Sequence, residues 1–277
     1  MKSRVKSSYS QLIRKGLVYL AAIGVALFIL IPIYLITVMA FSPEDVIYGY
    51  PKPFIPQQLT AETILFFLNS YKMLDSVRIS MIVAIVTLVI SLLVGAPAGY
   101  ALARYIFAGQ DAYRILILST RAFPMVILSI PLAQTYIQWH LDDTIMGVAL
   151  MHTAMALPTT ILVTSSVFVG ISKELEEAAL TLGCSRFTAF RRIILPLALP
   201  GLAASAIFTF VLSWNEVFAA AILTVHNRTM PARLIVGLGG SPATFKFAGG
   251  FIMLVPAIVF MFFVRRYLFS LWGIKLK

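Results

Sequence analysis

The sequence predicts an all-α, polytopic membrane protein with six transmembrane helices. Three observations carry that prediction: apolar residues dominate, six apolar stretches are each long enough to cross a bilayer, and basic residues gather on alternate connections. Of 277 residues, 60% are hydrophobic and 12% charged, with a mean hydropathy of +0.93. Soluble domains carry about a quarter charged residues, so this chain needs lipid as its solvent. The net charge of +11 does not form one patch, which argues against nucleic acid and for basic residues that orient membrane loops. The single cysteine, Cys184, allows neither an internal disulfide nor a zinc cluster.

The spans fall at residues 17–41, 77–102, 115–137, 145–170, 197–223 and 247–269. Each must be helical, because lipid cannot satisfy a peptide N–H or C=O. Lys2, Arg4, Lys6, Arg14 and Lys15 precede the first, as in a secretory signal. A signal's apolar core is only about 7–15 residues, so the longer run is read as a retained first helix behind a short N-terminal segment, 1–16. Gly95, Pro97 and Gly99 interrupt the second span, Pro124 and Pro131 the third, Pro158 the fourth and Pro256 the sixth. Such residues are common in membrane helices, and they also kink helices that line a transport cavity. Both readings stay open. The connections 42–76, 171–196 and 224–246 are long and polar. The last of these, with Asn227, Arg228, Gly237, Gly239, Gly240 and Pro242, is flexible by composition.

Charge sets the direction. With the N-terminus inside, the inner side holds the five residues above together with Arg104, Arg114, Lys173, Arg186, Arg191, Arg192, Arg265, Arg266, Lys275 and Lys277. The outer side holds only Lys52, Lys72, Arg78, Arg228, Arg233 and Lys246. The positive-inside bias therefore places both termini in the cytoplasm.

The connection 171–196 is polar yet patterned. Leu175, Ala178, Ala179 and Leu182 recur at helical spacing. Ser172 can cap the start, with Glu174, Glu176 and Glu177 in the first turns where the helix dipole favours them. Gly183 follows, where a helix stops most easily in a left-handed turn. Ser185 can cap a second helix that runs through Arg191 and Arg192 towards Pro196. A helix–turn–helix outside the membrane, without a core of its own, is suited to burial against a partner protein.

Glu177-Ala178-Ala179, Gly183, Ile193, Leu195 and Pro196 match the EAA motif at every defined position and spacing. The chain resembles the permease subunits of binding-protein-dependent ABC importers. The stretches VGAPAGYALAR at 94–104, LDDT at 141–144, ALP at 156–158 and LSWNE at 212–216 look like the maltose-type carbohydrate permeases of that family. Where carbohydrate members usually show Asp-Gly-Ala, this chain has Leu182-Gly183-Cys184, a version familiar from polyamine and iron permeases. The resemblance implies a type I importer fold, a single permease domain over 17–269, and a bacterial inner-membrane location. It implies that Glu177, Ala178, Ala179, Leu182, Gly183, Cys184, Arg186, Ile193, Leu195 and Pro196 form the coupling element for a cytoplasmic ATPase dimer. A second homologous permease and an extracytoplasmic solute-binding protein complete the expected complex. The basic tail, with its end at 270–277, is read as an orientation anchor or as an added contact with the ATPases.

The chain has no G-x-x-x-x-G-K-[ST] phosphate-binding loop. It is expected to bind no cofactor itself and to leave ATP and Mg to the partner ATPase. The predicted activity is alternating-access import of a sugar, oligosaccharide or polyol, with a polyamine or other small solute as the alternative. A polytopic enzyme would need a nucleophile–base or metal constellation in the spans, and none is found. A passive channel would have no use for a coupling loop.

Away from the span ends, where Arg78, Arg265 and Arg266 stand, two charges lie within the predicted spans, where charge is a functional candidate by default. Arg121 sits six residues after Ile115, about 9 Å into its span, close enough to snorkel to the inner surface. Glu216 is 16 residues beyond Pro200, about 24 Å along a core of about 30 Å. Trp214, Asn215 and Glu216 are the substrate or gate candidates, since an aromatic ring beside polar groups suits a sugar. The two charges differ in depth and are not expected to pair. His140, His152 and His226 are isolated, and His152 reads as a hydrogen-bonded packing residue.

Overall fold

The computed structural model describes residues 2–52, 54–56, 58–70, 72–237 and 240–271, and over these it is helical without strands. The end of the basic tail, 272–277, lies outside the described residues, as do the side chains of Arg265 and Arg266. In chain order the helices are α1 (Lys2–Ala40), α2 (Glu44–Tyr48), α3 (Glu62–Asn69), α4 (Met73–Arg104), α5 (Gln110–Ser119) and α6 (Met125–Gln138). There follow α7 (Ile145–Val169), α8 (Lys173–Thr181), α9 (Arg186–Ala189), α10 (Leu195–Asn215), α11 (Phe218–Leu223), α12 (Met230–Gly237) and α13 (Ala243–Leu271). Five stretches are long and apolar enough to cross a membrane: Ile13–Ala40, Met73–Arg104, Ile145–Val169, Arg186–Asn215 and Ala243–Val264. A sixth is possible only as a bent pair, Gln110–Ala122 with Ile127–Gln138, which meet at 94°.

The N-terminal segment is helical from Lys2 and continuous with the first span. Two expectations change. The third span is two helices. Pro124 has no N–H to give and its ring disfavours helix at the residue before it; Phe123 and Pro124 are both extended, with ψ 121°. The 10 and 14 residues of α5 and α6 measure about 15 and 21 Å, short of a hydrocarbon core of about 30 Å. By contrast Pro97, Pro158 and Pro256 lie inside continuous helices.

The fifth span also shifts. It begins at Arg186, so the second helix of the 171–196 loop is continuous with it, and it stops at Asn215 instead of 223. A π turn, Phe190–Ile194, carries the chain into Pro196, with the Leu195 N–H reaching the Phe190 carbonyl. A wider turn fits a proline whose ring crowds the carbonyl four residues back.

The chain divides into two compact units. In the unit of residues 1–70 and 241–252, Phe67 meets Phe245 at 4.6 Å and Phe41 meets Phe251 at 5.0 Å between ring centroids. The unit of residues 71–240 and 253–277 is built on α4, α7 and α10. Small residues let these helices approach: a Cβ on Gly99 would lie 2.1 Å from Thr164 Oγ1, and one on Gly201 2.3 Å from a Val167 methyl. Close backbone contact through small residues is the usual way membrane helices pack, since lipid is as apolar as leucine. Thr164 Oγ1 then donates to the Gly95 carbonyl at 3.0 Å. At the end of α4, Gln110 and Arg114 donate to the Leu102 carbonyl at 2.7 and 3.1 Å, covering an orphan acceptor of the helix terminus.

Candidate functional site

The 171–196 loop folds through its local signals. Ser172 Oγ accepts from the Glu174 N–H at 3.2 Å and Ser185 Oγ from the Thr188 N–H at 3.2 Å, capping α8 and α9. Gly183 stands in the left-handed region at φ +88°. Cys184 N–H bonds the Ala179 carbonyl and Gly183 N–H the Leu180 carbonyl, both at 3.0 Å, which is the paired closure of a Schellman turn.

Within this chain the loop presents some of its large apolar residues outward, among them Leu175 and Leu180. Leu182 is 85% exposed and Phe187 70%. Glu177, Ala178, Gly183, Arg186 and Pro196 are exposed, Cys184, Ile193 and Leu195 are half-buried, and Ala179 is buried. Ile194, between the two hydrophobic motif positions, is fully buried in a cluster with Ala96, Tyr100, Phe168, Ala198 and Leu202. That cluster seats the loop on α4, α7 and α10.

A polar anchor lies beside it. Arg104 Nε is 3.1 Å from Glu176 Oε2, Arg104 Nη2 donates to the Ile171 carbonyl at 3.0 Å, and Tyr100 donates its hydroxyl to Glu176 Oε1. Arg104, Tyr105, Lys173, Glu176, Glu177 and Arg186 line a cleft of about 220 Å³. Sequence reading assigned Glu176 only to the helix dipole; the local pattern holds no signal for a partner so distant along the chain.

The 214–216 candidates separate. Trp214 is fully buried, donates its indole N–H to the Met253 carbonyl at 2.9 Å and stacks near Phe210, which in turn stacks on Phe260. It offers no face to a solute, so the aromatic platform expected there is corrected to a packing role. Asn215 is exposed and donates to the Val211 carbonyl at 3.0 Å. Glu216 lies beyond the end of α10, and its carboxylate accepts from the N–H groups of Ala219 and Ala220 at 2.9 and 3.1 Å, capping α11. Its Oε2 is also 3.0 Å from His152 Nε2, while His152 Nδ1 is 2.8 Å from Ser213 Oγ. His152 is the hydrogen-bonded packing residue that the sequence suggested.

The opposite end of α7 is tied by Asp143. Its Oδ1 accepts from the N–H groups of Val225, His226 and Asn227, each at 2.9 Å, and Asn227 Nδ2 donates back to the Asp143 carbonyl at 2.7 Å. Burial by itself would raise the Asp143 pKa, but these N–H bonds outweigh it and hold the carboxyl below its ordinary 3.8. Part of the connection beyond is ordered where its composition suggests flexibility: it contains α12, whose Met230, Pro231, Ala232 and Leu234 are buried and whose Met230 N–H bonds Ser80 Oγ at 2.7 Å, while Gly239 lies outside the described residues.

Arg121 stands at the α5–α6 bend, two residues beyond the end of α5. Its cleft, about 260 Å³, is lined by Thr159 and Thr160 of α7 and by Ser205, Phe208 and Thr209 of α10. These positions lie midway along both helices, and with Arg121 and Phe208 exposed the cleft opens at the side of the bundle. No sequence spacing linked these five residues to the arginine.

A bundle of broken and continuous spans with an outward-facing 171–196 loop agrees with the match of residues 95–271 to the family described as binding-protein-dependent transport system inner membrane component. The chain belongs to this family. The relatives of this permease include the trehalose transport permease SugB of Mycobacterium tuberculosis, 34% identical over 66% of this chain and 69% of that one. The arabinooligosaccharide transport permease AraQ of Halalkalibacterium halodurans is 30% identical over 96% of both chains. The diacetylchitobiose uptake permease DasC of Streptomyces coelicolor is 29% identical over 78% of this permease and 80% of its own length. The fold resembles that of a bacterial ABC transporter that imports the acidic polysaccharide alginate, with a TM-score of 0.74 at 21% identity, over 91% and 96% of the two chains. The permease is therefore a membrane transport subunit of an ABC system, with the ATP hydrolysis belonging to a partner.

Proposed function

We propose that the permease imports a sugar or oligosaccharide by alternating access, driven by a separate ATPase that docks on the 171–196 loop. The observation that carries this reading is the loop itself: a capped, rigid helix–turn–helix with Leu182 and Phe187 turned outward, anchored to α4 through Arg104 and Glu176. Exposed apolar residues on a rigid knob call for a protein groove. In this reading Glu177, Ala178, Leu182, Gly183 and Arg186 face the ATPase, while Ile193, Leu195 and Pro196 set the continuous helix that transmits its motion. Both termini and the loop are cytoplasmic, as the distribution of basic residues supports.

The working complex holds two ATPases, a second homologous permease and an extracytoplasmic solute-binding protein, with ATP and Mg on the ATPases. Saccharides are favoured because trehalose, arabinooligosaccharide and diacetylchitobiose are named for its relatives. Leu182-Gly183-Cys184 favours the second reading, a polyamine or other small solute.

The test is copurification and uptake. Tagged permease drawn from membranes should bring an ATPase and a second permease, and the complex in proteoliposomes should take up a saccharide only with ATP and the binding protein. Retention of the ATPase by a Leu182→Asp variant at the wild-type level would remove the docking assignment, since Leu182 is 85% exposed and its replacement disturbs no packing within the chain. Uptake of polyamines with no saccharide uptake would replace the first reading by the second.

A further inference from the structure

We infer that the cleft behind the α5–α6 bend is an oxyanion subsite, and that the saccharide carried by this permease bears a carboxylate. The inference rests on the import reading above and specifies its substrate class.

Arg121 is exposed in a cleft of about 260 Å³. All 11 acidic residues of the chain are among the described residues, and none is within ion-pair distance of Arg121. Arg104 and Arg114 each face a carboxylate, Glu176 and, at 3.3 Å, Asp111, and Arg233, which has no acid at that distance, is bonded to Ser76 and to the His226 carbonyl. An unneutralised guanidinium facing the middle of membrane-spanning helices is costly and is kept where a water-filled path or a ligand needs it. The facing wall is polar. Thr159 Oγ1 is buried with no hydrogen-bond partner, while the hydroxyls of Thr160 and Thr209 meet at 3.1 Å. Phe208, 63% exposed, supplies an apolar surface beside them.

These groups divide the ligand into parts. The planar fork of a guanidinium matches a carboxylate with two parallel N–H···O bonds. The threonine hydroxyls can serve sugar hydroxyls, and the phenyl ring can cover an apolar sugar face. The volume lies just below the range of about 300–1,000 Å³ typical of ligand pockets, which suits one charged ring at a time. A neutral sugar would leave the positive charge of Arg121 uncompensated during passage, whereas a uronate ring neutralises it in the cleft. An anionic lipid headgroup shares the oxyanion chemistry and is separated by the test.

The experiment uses the whole complex, with ATPase and binding protein, in proteoliposomes. Uptake is measured for a panel of di- and trisaccharides, each in its neutral form and as the uronate, for wild type, Arg121→Gln and Arg121→Lys. Wild type should move uronates. Arg121→Gln should raise the KM for uronates about ten-fold or more relative to neutral sugars, the loss expected for a hydrogen bond to a charged group, and Arg121→Lys should recover part of it. Elution of both variants as the intact complex establishes that they fold. Uptake of neutral saccharides alone overturns this inference and leaves the importer reading standing; no uptake of any saccharide overturns both. An equal loss for neutral and acidic sugars in Arg121→Gln also overturns it, and points to an acidic residue of the second permease as the arginine's partner. An effect of Arg121→Gln seen in vesicles containing phosphatidylglycerol but absent from pure phosphatidylcholine assigns the site to an anionic lipid headgroup instead.

Discussion

Arg104 Nε lies 3.1 Å from Glu176 Oε2, with the two side chains only 5% and 14% exposed. The contact joins the last residue of α4 to the first turns of α8. A force applied to the loop by a docked partner therefore reaches α4 through an ion pair, and α10 through continuous helix. Both α4 and α10 pack on α7, so the loop grips the centre of the bundle from two sides.

Removing one member of this pair leaves the other buried and uncompensated. Arg104→Gln or Glu176→Gln should each cost about 3–5 kcal/mol of local stability, lowering the thermal midpoint of the purified complex. ATP hydrolysis should become less dependent on loaded binding protein. Tyr100→Phe removes one hydrogen bond to the same carboxylate and should cost about 1.5–3 kcal/mol. Midpoints equal to wild type in all three would show that the pair bears no load.

Gly183 has φ +88° and open space where a Cβ would stand. Substitution therefore meets no clash and acts through backbone conformation alone. Gly183→Val should lose about 1–2 kcal/mol and weaken copurification of the ATPase, whereas Gly183→Asn, which tolerates the left-handed region, should retain most of it. The ranking of Gly, Asn and Val in a pull-down is the measurement.

Glu216 holds the start of α11 through Ala219 and Ala220 and reaches His152 at the same time. Glu216→Ala should free α11 and leave His152 without that partner, at about 1–3 kcal/mol for the unsatisfied buried group. Import should fall while the ATPase still copurifies, because the change is remote from the loop. Loss of ATPase binding in this variant would contradict that separation.

Asp143 predicts a pH dependence of definite sign. Its pKa is below 3.8 in the folded chain, so its clamp contributes fully above the ordinary carboxylate value and is lost only as pH falls through the lower, folded one. Hydrogen exchange of the 225–227 amides should be slow and insensitive to pH effects on the clamp near neutrality, once the intrinsic rate is divided out, and should quicken below about pH 4. Asp143→Ala should quicken it about ten-fold at neutral pH, the worth of one charged hydrogen bond, and Asp143→Asn, which keeps an acceptor oxygen and accepts φ 51° but lacks the charge, should fall between the two and lose the acid dependence.

By itself the sequence determined the helical membrane class, the regions of the spans and the whole local architecture of the 171–196 loop. Lipid forces apolar runs into helices. The caps at Ser172 and Ser185 and the left-handed turn at Gly183 act over three or four residues, so their partners are already adjacent in the chain. The third span shows the margin of that method: Pro124 was visible, but a 94° bend instead of a kink depends on what the two halves pack against. Only the tertiary structure decided that Trp214 is buried packing, that Glu216 caps α11 and meets His152, that Glu176 meets Arg104, and that Arg121 opens onto Thr159 and Thr209. Each of these contacts joins elements far apart in the chain. They exist because glycines such as Gly99 and Gly201 let α4, α7 and α10 approach closely enough to set their register, and no local pattern encodes which side chains that register brings together.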